Sequence, residues 1–101
     1  MQMIYCTCNV SVLESLLKII EENKIRAYQV IDQVTAKNKL GAPRFNDPVW
    51  PGYNSAVLLQ VKDAEKVDRL AKEIKAFNQN AFNESELVTF CSWNLNHYFF
   101  D

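Results

Sequence analysis

Glycine and proline are the strongest breakers of regular backbone, and this 101-residue chain confines all of its own to one window. Gly41, Pro43, Pro48, Pro51 and Gly52 lie between positions 41 and 52. A chain of this length holds about seven Gly and five Pro at average usage; this one holds two and three. Everything outside the window is therefore free to be helix or strand, and irregular backbone is concentrated inside it. The length fits one domain spanning 1–101. So small a domain buries only about two thirds of its unfolded surface, so a partner chain adds to its stability.

Residues 2–9 read as a strand, with Ile4, Tyr5, Cys6, Thr7 and Cys8 as β-formers or small apolar residues. Ser11 followed by Glu14 has the spacing of a capping box. Leu13, Leu16, Leu17 and Ile20 then repeat at helical spacing, predicting an amphipathic helix over 12–23. A second strand covers 27–35, with Tyr28, Val30, Asp32 and Val34 on one face and Ala27, Ile31 and Thr35 on the other. The third strand, 53–62, is apolar on both faces at 56–59, as a central strand is. Asp63 is a good N-cap for a second helix whose buried stripe is Val67, Leu70, Ala71, Ile74 and Phe77. Its wet face carries the i,i+4 pairs Glu65–Arg69, Asp68–Lys72 and Arg69–Glu73. Residues 78–83 form a polar turn, 86–93 the fourth strand, and an aromatic tail over 94–101 ends the chain.

The order β-α-β-β-α-β predicts an α+β, ferredoxin-like fold: a four-stranded antiparallel sheet with both helices on one face. The other face is left bare, yet the strands are apolar on both sides. Such a surface marks an interaction site, and other copies of the chain are expected to cover it. The alternative is that the tail covers it alone. Exposing Trp93, Tyr98, Phe99 and Phe100 costs about 25 cal/mol per Å² of apolar area. The tail is thus expected to dock, against its own sheet or a neighbour.

Gly41-Ala42-Pro43-Arg44 and Val49-Trp50-Pro51-Gly52-Tyr53-Asn54-Ser55, with the upstream Ile25-Arg26-Ala27-Tyr28-Gln29-Val30-Ile31, resemble a subgroup of the PII-like signalling proteins. The element order supports that likeness over nearly all of 1–93. The resemblance implies a homotrimer that binds small effectors in clefts between subunits. It also implies a long T-loop between strands two and three that reports ligand state to a partner protein. The window 37–52 sits in that place, and the tail falls where PII-like trimers close the cleft. The glycine-rich nucleotide loop that PII proteins carry between helix two and strand four has no counterpart, because 78–84 hold neither Gly nor Lys. The related CutA group has the same fold, forms trimers and is associated with divalent metals. Its aromatic and His-Pro-Tyr signatures are absent, with His97-Tyr98 the nearest echo.

An unstructured loop of about 15 residues in a small domain is uncommon and is usually functional or disordered. This one interleaves Phe45, Val49, Trp50 and Tyr53 with prolines, so it is expected to pack rather than wander. Lys37, Lys39 and Arg44 outnumber its one carboxylate, Asp47. Basic side chains beside an ordered aromatic suit an anion or nucleotide phosphate; the plainer alternative is a subunit-packing loop with solvated charges. Lys37, Lys39, Arg44, Trp50 and Tyr53 are the candidate effector residues, with no certain cofactor beyond a nucleotide or other anion.

Cys6, Cys8 and Cys91 are too few and too oddly numbered for a disulfide framework. Strand alternation puts Cys6 and Cys8 on one face, with Cys91 on the neighbouring strand. Three thiols suit a soft metal, but free cysteine more commonly packs as a small buried hydrophobe. His97, the only histidine, reads as structural or exposed before it reads as a metal ligand with carboxylates such as Glu86 or Asp101. That set is what the alternative function, a CutA-like divalent-metal trimer, would use. No nucleophile–base pair or paired-carboxylate motif appears, so no enzyme is expected. A net charge of −1 and the lack of a K/R-G-F/Y pattern on the third strand argue against nucleic acid. No apolar run approaches the ~18 residues of a membrane span. The first Lys is Lys18, so the expected compartment is the cytoplasm.

Overall fold

The computed structural model describes residues 1–35 and 53–100. Alternation along the first strand sets the architecture. In β1 (Gln2–Asn9), Ile4, Cys6 and Cys8 are fully buried, while Met3 and Tyr5 are only partly so. β3 (Asn54–Val61) runs antiparallel beside it, with Leu59 opposite Ile4 and Val57 opposite Cys6. Directly opposed residues share a face, so these four form one apolar layer. α1 (Leu13–Glu22) and α2 (Ala64–Gln79) cover that layer with Leu16, Ile20, Leu70 and Ile74. β2 (Gln29–Val34) and β4 (Thr89–Asn94) are the edge strands, giving the order β2-β3-β1-β4 with every pair antiparallel. This is the ferredoxin-like arrangement that the element order predicts, and β3 is the central strand expected.

Among the described residues, the opposite sheet face has no helix. Tyr5 sits there between Leu58 and Cys91, Trp93 lies opposite Met3, and Ile31 lies opposite Ala56. Ile31 is 45% exposed and Trp93 47%. The tail does not seal this face within the chain. Its first residue is tied back by the Leu95 amide, which donates to the Met1 carbonyl at 3.0 Å. Beyond that bond no further strand forms, and Phe99 and Phe100 are 77% and 89% exposed. Of the two expected docking places for the tail, its own sheet is not the one taken by Phe99 and Phe100. The sheet already has β2 and β4 at its edges, and the tail leaves from the end of one of them.

Local structure departs from the sequence reading at three joints. The Ser11 capping box does not form. Asn9 accepts the Ser11 amide at 2.9 Å instead and closes a 3-10 turn over Val10–Val12, so α1 starts at Leu13 with no side-chain cap. β2 carries a bulge between Ile31 and Val34, where Ser55 Oγ donates to the Asp32 carbonyl at 2.6 Å. That extra residue breaks the face assignment read from strict alternation, and Asp32 is exposed. Arg69 and Glu73 of α2 turn to a buried amide. Asn23, only 2% exposed, accepts from Arg69 Nε at 2.8 Å and donates to Glu73 at 2.8 Å and to the Ile19 carbonyl at 2.9 Å. A buried amide thereby fastens α2 to the end of α1.

α1 ends in a Schellman motif. The Ile25 amide donates to Ile20 and the Lys24 amide to Glu21, which forces Lys24 to φ 63°. A residue without a Cβ avoids that steric cost. Lys24→Gly is therefore expected to stabilise the fold by about 0.5–1 kcal/mol. Asn23→Ala should destabilise it by about 1–3 kcal/mol, because Arg69 and Glu73 lose their shared partner. Urea unfolding midpoints at constant m-value check both.

Candidate functional site

Three connections converge at one end of the sheet. β1 ends there at Asn9, β2 ends there at Val34, and β3 begins there at Asn54 opposite Asn9. The Tyr53 carbonyl accepts from the Val10 amide at 3.1 Å and from Asn9 Nδ2 at 3.4 Å, which pins the start of β3 to the β1–α1 turn. Tyr53 is partly buried at this mouth. The other candidate effector residues, Lys37, Lys39, Arg44 and Trp50, lie outside the described residues, as does Asp101.

The connection between α2 and β4 reaches the same end, since β4 starts at Thr89 opposite Thr7. Several of its backbone donors are already taken by side chains. Asn78 donates to the Val88 carbonyl and accepts from the Val88 amide, both at 2.8 Å. Glu86 accepts from the Phe82 amide at 3.0 Å, and Asn83 from the Ser85 amide at 2.9 Å. A phosphate-binding loop needs free backbone amides facing outward. Here side chains occupy these three, in keeping with the missing glycines. Phe82 is left 96% exposed on this connection.

Asn54 is a site residue that sequence reading missed. It is 1% exposed, and its Nδ2 finds no hydrogen-bond partner among the described residues. A buried donor left unpaired costs about 1–3 kcal/mol, so the position favours an acceptor from elsewhere. An Asn inside a β-forming run was the only signal in the sequence, and it does not distinguish an orphan amide from a bonded one.

The tail and His97 lie at the other end of the chain's own sheet, because Asn94 pairs with Gln2. Glu86 and His97 are thus not brought together, and among the described residues no group of three or more His, Cys, Asp or Glu could hold a metal. The three cysteines do not gather either. Cys6 and Cys8 face the helices, whereas Cys91 opposes Tyr5 on the bare face and its thiol meets the Tyr5 carbonyl at 3.5 Å. Burial pushes the Cys6 and Cys8 thiols up to about 12. They are core side chains, not thiolate ligands.

No protein-family model matches the sequence, and no curated protein matches it. Solved structures do. CPII from Thiomonas intermedia, a nitrogen regulatory PII-like protein, bound to ADP and bicarbonate, superposes with a TM-score of 0.67 at 11% identity, over 95% of this chain and 88% of that one. The same protein bound to ADP, AMP and bicarbonate gives 0.66 at 11% identity, over 97% and 94%. A putative PII-like signalling protein from Thermus thermophilus gives 0.66 at 12% identity, over 93% and 85%.

Two outcomes follow from the site's chemistry. Asn78→Ala should cost about 1–3 kcal/mol, because both polar groups of Val88 lose their partner; a urea midpoint reads it. The raised Cys6 and Cys8 pKa values mean that the unfolded chain, with thiols near 9.0, releases protons before the folded one does. Stability should therefore be intact below pH 9 and fall as pH rises from 9 toward 12, with a shallower fall in a Cys6→Ala/Cys8→Ala variant. These observations together give the chain the fold of the PII-like nitrogen regulatory proteins.

Proposed function

We propose that this chain is a non-enzymatic PII-like regulatory protein. It assembles as a trimer, binds a small anionic effector between subunits, and presents residues 37–52 to a partner protein. The observation that carries the reading is the buried Asn54 amide, without a hydrogen-bond partner among the described residues, at the mouth of that segment. It sits where three connections of the fold meet, and it calls for an acceptor that an anionic effector would supply. Lys37, Lys39 and Arg44 provide charge on the same segment, and Trp50 and Tyr53 provide aromatic surface. Neighbours of the same fold were crystallised with ADP, AMP and bicarbonate, so these are the first effectors to test. The side-chain-sealed α2–β4 connection favours an effector read through the 37–52 segment rather than through a phosphate loop.

Assembly follows from the bare face. Met3, Tyr5, Leu58, Ile31 and Trp93 put apolar surface where no helix or strand among the described residues covers it, and other copies of the chain would remove it from water. Tail and effector mouth lie at opposite ends of one chain's sheet, so any contact between them is made across subunits.

Sedimentation equilibrium at micromolar concentration should give a trimer, and Trp93→Glu should shift it toward monomer. A stable wild-type monomer would sink the assembly. A thermal-shift panel of adenine nucleotides and bicarbonate should raise the melting temperature. Arg44→Ala should remove the rise. Asn54→Leu should stabilise the unliganded protein while shrinking the rise. No shift with any effector, or a full shift in both variants, overturns the effector site.

A further inference from the structure

We draw no further inference here: the strongest candidate, the apolar surface patch that the exposed Phe82 makes on the α2–β4 connection beside Glu84 and Glu86, carries nothing because nothing in the structure shows what covers it.

Discussion

The packing of two helices onto one face of a four-stranded sheet is the constraint on which everything else rests. Ile4, Cys6, Val57 and Leu59 present a continuous layer, and Leu16, Ile20, Leu70 and Ile74 close over it. Each such side chain contributes about 1.5–3 kcal/mol when fully buried. Two right-handed crossovers place both helices on the same side. That choice leaves Tyr5, Leu58, Ile31 and Trp93 on the face that no helix covers among the described residues. The stability of the helical side and the apolar surface of the bare side have the same origin.

Asparagine closes the joints that glycine closes in other proteins. Asn9 makes the turn into α1, Asn23 ties α1 to α2, and Asn78 ties the end of α2 to the start of β4. At the end of α1 the chain accepts a lysine in the left-handed region. Side-chain amides satisfy backbone groups one at a time and fix the local shape. They also occupy donors that a glycine loop leaves open to a ligand, as the α2–β4 connection illustrates.

Much of the frame was legible in the sequence because it is written in periodicity. Apolar spacing located both helices, two-residue alternation located β1, and the doubly apolar run at 56–59 marked β3 as central. The joints were harder. Ser11 and Glu14 have the spacing of a capping box, but Asn9 captures the Ser11 amide first, since it closes a tighter turn at the strand's end. The bulge in β2 is invisible to alternation, because its cause is the cross-strand bond from Ser55 to Asp32. Arg69 and Glu73 look like partners on a wet helix face, and only the approach of α1 supplies the buried amide that takes both. Of the candidate effector residues, Tyr53 alone is placed. Asn54 escaped notice because an orphan donor is defined by what surrounds it.

The sequence by itself determined the element order, the helix-facing stripes and the place of the irregular window, since local propensity and spacing suffice for those. It also determined that no glycine loop stands between α2 and β4. Tertiary structure alone decided which residues meet. It separated Cys91 from Cys6 and Cys8 across the sheet, because adjacent residues of β4 face opposite ways. It put Asn54, the β1–α1 turn and the α2–β4 connection at one end, and the cluster of Lys24, Arg26, Lys62 and Lys66 at the other. Those groupings join residues far apart in the chain. Antiparallel pairing fixes them through register, and register is set by the whole buried face rather than by any local run.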